Sequence, residues 1–490
     1  MNIVELTSNT SYWSLVIHQV SQQSAQIWIG TLFGTLRQPT LARLILSTAG
    51  QEIQRVDFTE LSWQRPLTGL DQRFYQCVSL TDLVAASHYD VAFYQLLAGP
   101  GFEEQSQWQL LKHGSFTTLP TKLPAAERPF TVALSSCFYP HRDAGRAAAA
   151  YKALYQQGGV MAPDIKFLVG DQVYLDIGLD SLSPLPPEIR QRVVEDYALS
   201  WQALGSMLSR GGCWMLPDDH EYWNDYPFYD SLLPTLFMLK LPPVRRVWRQ
   251  AATDAVKNIQ QTSSFRTFCL GDDLAFCLVD VRSERNQDGF VSAAVLQQLL
   301  DWLLQLRCPG VLVMSQVLLE NIGAAERNLA NFPAQYQALL QALSAAKHDI
   351  VLLSGDVHFA RIAEVRLAGS GRRLIEVVAS PLSNLTGMNS LATATMQTEP
   401  RYFPDPDHAA ASGVIPQAVI YHQDYQVPTE PGQPGSSYWR DRTAEHFMTL
   451  SFHLSSAGVE MQVQAWLVRH PSVDQLPTPA FSTPFRTLLS

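Results

Sequence analysis

Four acidic side chains, a histidine, an asparagine, two tyrosines and a tryptophan crowd into the twelve residues LPDDHEYWNDYP, positions 216–227. In a chain with only 16% charged residues this local density asks for a cause. The carboxylates of Asp218, Asp219, Glu221 and Asp225 repel one another unless a cation, a shared proton or solvent separates them. The neighbouring rings of Tyr222, Trp223 and Tyr226 oppose full solvation, so a positive centre is the expected partner.

Three other segments repeat the arrangement. PFTVALSSC ends in Cys137, DIKFLVGDQVYLD carries Asp171, Tyr174 and Asp176, and DIVLLSGDVHFA carries Asp356 and His358. Each polar group follows a short, continuous apolar run of the kind that forms strands buried on both faces. In an open α/β sheet the carboxyl ends of such strands face one crevice, where ligands bind, so the four segments are expected to converge. Their donors mix carboxylate, imidazole, thiolate, phenol and amide. Oxygen donors suit calcium, magnesium, manganese or ferric iron, whereas imidazole and thiolate suit iron or zinc. A mixed set points to two metals with a shared carboxylate, an arrangement that can clamp a phosphoryl oxygen and generate hydroxide near neutral pH. His220 is placed to protonate a leaving alkoxide or to steady transferring oxygens.

The elements that position these groups are legible in outline. Residues 1–120 carry strand-like stretches (SAQIWIGTL, ARLILSTAG, HYDVAFYQLLAG) and predict a small N-terminal β-sandwich. Residues 121–129 lie in a Thr- and Pro-rich linker, and 130–490 form the second domain. There the apolar strands alternate with helical stretches at 144–157, 186–210, 291–306 and around 334–347, which predicts an α/β layered fold. Residues 388–440 read as a long loop or lid, and MTLSFHLSSAGVEMQVQAWLV as a closing hairpin.

A net charge of −10 argues against nucleic-acid or anionic-membrane binding, but not against a small anionic substrate at a metal. No membrane span and no secretory signal is visible, and the six cysteines lack zinc-finger or disulfide-framework spacing, so a reduced cytoplasmic protein is expected.

SSC at 135–137, GDQVYLD at 170–176, PDDHE at 217–221 and SGDVHFA at 354–360 together resemble the ordered motifs of PhoD-like phosphatases (alkaline phosphatase D), within the calcineurin-like metallophosphoesterase superfamily. VDVRSERN at 279–286 and MSQVLLEN at 314–321 resemble intervening segments, so the likeness spans roughly 130–385. The resemblance implies a four-layer α/β/β/α sandwich holding iron and calcium, with manganese or zinc as substitutes. It implies Cys137, Asp171, Tyr174 and Asp356 as iron ligands, with Asp171 bridging. It also implies His358 as the last metal-site histidine, Asp219 at the Asn position and His220 at the His position of a GNHE-like motif, and Asn224 as an amide ligand. Tyr222, Trp223 and Asp225 depart from residues common in the family, and family members are often exported.

Taken singly, Asp171 and Asp356 also suit Asx turns or helix caps, Cys137 a small core residue and Tyr174 a packing residue. Asp176, Asp218 and Glu221 are expected to orient neighbours or cap backbone, and Arg282 to pair with a motif acid. Arg142 and Arg146 are candidates for meeting a substrate phosphate, or solvated residues at a helix start. Tyr222, Trp223, Tyr226 and Phe228 are expected to wall the substrate pocket. The function expected is hydrolysis of a small phosphoric mono- or diester. The alternatives are a degenerate relative that binds a phosphorylated or lipidic ligand without turnover, and a metal-independent glycosidase using a carboxylate pair.

Overall fold

In a computed structural model the described residues are 10–97, 107–157, 162–229, 234–320, 328–386, 399–432, 441–469 and 477–490. Strands β1 (Ser14–Val20), β2 (Ala25–Thr31), β3 (Leu41–Thr48), β4 (Gln51–Thr59), β5 (Phe74–Leu80), β6 (His88–Leu97) and β7 (Gln107–Thr117) form two antiparallel sheets, ordered β1-β2-β5 and β4-β3-β6-β7. Trp13, Trp63, Phe74 and Phe93 meet between them in tilted and edge-on ring pairs, the geometry aromatic quadrupoles favour. This is the expected N-terminal sandwich. It is seated on the larger C-terminal domain: a Cβ on Gly114 would lie 2.4 Å from the Ser209 carbonyl, and Trp28 Nε1 donates to the Asn258 carbonyl at 2.9 Å.

Beyond residue 130 two sheets pack face to face. In the first, β8 (Phe130–Ser135), β9 (Ile165–Val169) and β10 (Gly212–Leu216) run parallel, every residue buried. In the second, β11 (Phe265–Leu270) pairs antiparallel with β12 (Leu274–Val279), which continues in parallel through β13 (Gly310–Val313) and β14 (Ile350–Ser354). Next, β16 (Arg373–Val378) joins β14, with β15 (Arg361–Arg366) beyond it. Continuous apolar runs suit strands covered on both faces, and here each sheet is covered by the other sheet inside and by helices outside. Helices α1 (Arg146–Gln157), α2 (Pro186–Leu208) and α3 (Pro242–Asn258) belong to the layer against the first sheet. α4 (Ala293–Gln305) and α5 (Pro333–Ala345) belong to the layer against the second. The fold is an α/β/β/α sandwich preceded by a small β-sandwich.

The expected C-terminal hairpin forms, His446–Ser455 pairing with Gly458–Leu467, and its first strand runs beside β8, pairing Met448 with Leu134 and Phe452 with Phe130. One expectation needs correction. Residues 388–440 are not one loop or lid. Gln417–Tyr421 is a strand that pairs with β15, and Pro406–Ser412 is a short helix, with Asp405 Oδ1 accepting from the Asp407 amide at 3.1 Å. The stretches 387–398 and 433–440 lie outside the described residues. Among the described residues no helix is long and apolar enough to cross a membrane.

Candidate metal centre

The parallel topology brings the chemical segments to one edge. Cys137 follows β8, Asp171 follows β9, Asp218 to Glu221 follow β10, Ser315 and Gln316 follow β13, and Asp356 and His358 follow β14. The chain reverses sharply at these ends. Cys137, Asp171, Asp356 and His358 have φ of 58°, 56°, 66° and 52°, the left-handed region that costs residues bearing a Cβ of order 1 kcal/mol or more each. Four such residues around one crevice mark a place where side-chain direction outweighs local backbone preference. Gly170, at φ 98°, and Gly355 permit close approach. A Cβ at Gly170 would lie 2.7 Å from that of Asp218, and one at Gly355 would lie 2.3 Å from Ser136 Oγ.

Three donor sets result, each with its atoms within 4.8 Å of one another: Cys137, Asp171 and His358; Asp171, Asp219 and His220; and Asp171, Asp218, Asp219 and Asp356. Asp171 is common to all three. Tyr174 joins the first, its Oη 3.4 Å from His358 Nε2. Cys137 Sγ lies 3.5 Å from Asp171 Oδ2 and accepts from Ser380 Oγ at 3.1 Å. His220 Nδ1 is 2.7 Å from Asp176 Oδ1, which fixes the ring and leaves Nε2 as the nitrogen able to serve the cluster.

The electrostatics are those of an anionic nest. Burial, then the nearby Cys137 and Asp219, push the Asp171 carboxyl well above the usual range; burial and Asp218 do the same to Asp356. Burial raises the Cys137 thiol to about 12 and Tyr174 well above its ordinary value. Burial would neutralise His220, but the Asp176 and Asp219 carboxylates overcome it and lift the imidazole to about 10. A cation inverts this logic, stabilising the ionised acids at once. The fit to such an ion is direct: Asp171 Oδ1 and Asp219 Oδ1 are buried and accept no hydrogen bond, a costly state for a carboxylate without a positive partner.

Other acids of the motif are already occupied. Glu221 accepts from the backbone N–H groups of Asp171, Gln172 and Asp218 at 2.9, 2.7 and 2.8 Å, tying two strand ends together. Asp218 Oδ1 accepts from Arg282 Nε at 2.7 Å and Ser315 Oγ at 2.9 Å. Although burial opposes its charge, Arg282 holds Asp218 down to about 2. Asp219 Oδ2 accepts from the Asp225 amide at 2.7 Å.

Several other candidates have partners of their own. The Asn224 side chain donates to Asp225 Oδ2 at 2.5 Å, and its backbone N–H to Asp176 at 3.0 Å. Tyr222 and Trp223, expected to wall a substrate pocket, are fully buried in the core under α2 and α3, with Tyr222 stacked on Tyr226 at 4.2 Å. Trp223 nevertheless lines a cavity together with Tyr226, Pro227, Phe228 and Tyr229, the rest of its wall coming from α3 and the segment after β12. Arg142 pairs with buried Glu445 at 3.3 Å, and Arg146 is exposed on α1. Sequence reasoning missed the residues that hold the ligands in place. Gln316 Nε2 donates to Asp356 Oδ2 and Asp218 Oδ2, both at 3.0 Å, while Ser136 Oγ accepts from the Asp356 amide and Ser380 Oγ from the His358 amide. Ser315 and Gln316 did carry a signal, a polar pair at the end of an apolar run like the other four.

A solved structure described as that of PhoD aligns with 98% of this chain and 90% of its own, at a TM-score of 0.61 and 15% identity. The fold is PhoD-like. Two further similarities carry no argument. A redesigned β-sandwich covers 22% of this chain and 90% of its own at 12% identity and TM-score 0.16. A calcium-binding mutant of Bacteroides uniformis β-glucuronidase 2 covers 97% and 60% at 8% identity and TM-score 0.26. No family model and no curated protein matches the sequence.

Proposed function

We propose that the protein is a metal-dependent phosphoric ester hydrolase. The observation that carries this reading is the sharing of Asp171 by all three donor sets while one of its oxygens is buried without a hydrogen bond, which suits a carboxylate bridging two adjacent ions. The PhoD-like fold supports it. Cys137, Tyr174 and His358 form the softer side, suited to iron or zinc; Asp219 and Asp356 form the harder side, suited to calcium, magnesium or manganese. Bound there, such ions supply Lewis acidity toward phosphoryl oxygens and an activated water.

The chain's own groups complete the chemistry. His220, oriented through Nδ1 by Asp176, offers its Nε2 proton to the leaving alkoxide or to a phosphoryl oxygen. Arg282 neutralises Asp218 behind the site and keeps its charge from repelling an anionic ester. Gln316 fixes the Asp356 carboxylate against rotation.

The test is elemental analysis of the full-length protein beside Asp171→Asn, with a panel of phosphoric mono- and diesters. Asn keeps the left-handed backbone at this position and removes the charge. Two metals per wild-type chain, loss of at least one in the variant, and chelator-sensitive hydrolysis are expected. A metal-free wild type after growth with iron, calcium, manganese and zinc, or hydrolysis that resists chelation, overturns the reading.

A further inference from the structure

Beside the metal centre lies a cavity of about 300 Å³ whose charge is the reverse of the chain's. Arg245, Arg246 and Arg249 line it from α3, and Arg285 from the segment after β12. None of the lining residues carries a carboxylate, in a protein of net charge −10. The volume matches the lower end of small-ligand pockets, roughly 300 Å³ and upward.

Three features of the cavity favour an anion there. The first turn of α3 contains no acidic residue, so Arg245 and Arg246 stand at the positive end of the helix macrodipole. Arg245 and Arg249 are four residues apart, on one face, where like charges repel. Across the cavity Arg285 is 1% exposed, and burial together with the neighbouring Arg282 guanidinium lowers it to about 9. The arginines are also preorganised. The Arg245 guanidinium lies 3.8 Å over the Tyr229 ring and its Nη1 donates to the Leu239 carbonyl at 2.7 Å, while Arg249 lies 5.9 Å over Tyr226. Fixed planar forks beside aromatic walls are the arrangement that grips a phosphate with two parallel hydrogen bonds.

We propose that this cavity is a second site, distinct from the metal centre, that binds a phosphate group, either free or carried by a small organic molecule. The site is connected to the metal ligands: Arg285 Nη2 donates to Gln316 Oε1 at 3.4 Å, and Gln316 in turn holds Asp356. Its existence does not depend on hydrolysis at the metals.

The test is equilibrium dialysis of the full-length protein with radiolabelled orthophosphate, in wild type, in Asp171→Asn, and in Asp171→Asn carrying Arg246→Ala and Arg249→Ala. The Asp171 change, with chelator in the dialysate, empties the competing metal site, and Arg246 and Arg249 are exposed, so their loss leaves the core intact. Saturable binding of one phosphate by Asp171→Asn, weakened at least tenfold by the double arginine change, is expected. Absence of saturable binding in Asp171→Asn, or affinity unchanged by the arginine substitutions, overturns the proposal. Competition by phenyl phosphate distinguishes the sources. Tighter binding than orthophosphate supports an organic phosphate seated on the aromatic walls, and weaker binding supports the free ion. Failure of the hydrolase reading would appear separately, in metal content and turnover.

Discussion

Glu376 and Asp171 are both fully buried carboxylates, yet their surroundings differ in kind. Glu376 accepts from the Leu318 and Leu319 amides at 2.6 and 3.1 Å and from Arg361 at 2.5 Å, so its charge is balanced within the protein. Asp171 faces the Asp219 and Asp356 carboxyls, groups of its own kind, beside the Cys137 thiol, and keeps one oxygen without a donor. A carboxylate of the first kind holds the fold together; one of the second kind is held by the fold for something else. The contrast separates site from scaffold better than burial, which is equal.

The largest effect that tests it is at the balanced site. Glu376→Ala strands the Arg361 cation and is expected to cost about 3–5 kcal/mol in urea unfolding. A loss under about 1 kcal/mol, the range of an exposed pair, would erase the distinction. Next, Asp176→Asn removes the partner that charges and orients His220 while leaving the metal donors in place. It is expected to lower phosphoesterase turnover by roughly 10- to 100-fold, and to move the basic limb of the pH–rate profile to lower pH, because His220 then gives up its proton more easily. A merely structural Asp176 would leave that profile in place.

A third prediction concerns protons away from the site. Burial lowers His446 to about 4, although its Nδ1 meets the Ala444 carbonyl at 2.8 Å. The unfolded chain takes up a proton near its ordinary value of about 6.5, and the folded state does so only near 4, so stability is full above 6.5 and falls as pH drops through that window. The slope is about 1.4 kcal/mol per pH unit, and the stability difference between wild type and His446→Gln should shrink by that much per unit. A difference constant from about pH 7 to about pH 4.5 would contradict the assignment. The smallest effect has the opposite sign. With metals chelated, Asp171→Asn is expected to equal or exceed wild type in stability, by up to about 1 kcal/mol, because it thins a crowd of like charges. Clear destabilisation under chelator would place Asp171 with Glu376.

Much of this arrangement was legible in the sequence because buried parallel strands advertise themselves as apolar runs, and polar residues at their ends stand out. The convergence of Cys137, Asp171, Asp219, Asp356 and His358 follows from that pattern, and the antiparallel N-terminal sandwich from its β-branched and aromatic stretches. What was not legible depends on distant partners. Pairing of His446–Ser455 with β8 joins residues more than 300 apart, and nothing local encodes it. Tyr222 read as a pocket wall beside Trp223, Tyr226 and Phe228 because aromatic residues beside a catalytic motif look alike whether they face a cavity or the core. Helix α3 was overlooked, although Val244, Trp248, Ala251 and Ala255 recur at helical spacing on its buried face. Arg142 looked available for an anion because Glu445, its partner, lies in a separate part of the chain.

The insertion of His446–Ser455 beside β8 also sets a timetable for the protein's birth. Every candidate ligand, from Cys137 to His358, has left the ribosome well before the strand that flanks β8 is synthesised. A nascent chain therefore carries the whole donor set while one side of the strand leading to Cys137 is still bare. The enclosure of the candidate donors thereby waits for a strand made long after them, and a chain cut before residue 446 would retain those residues without the strand that flanks β8.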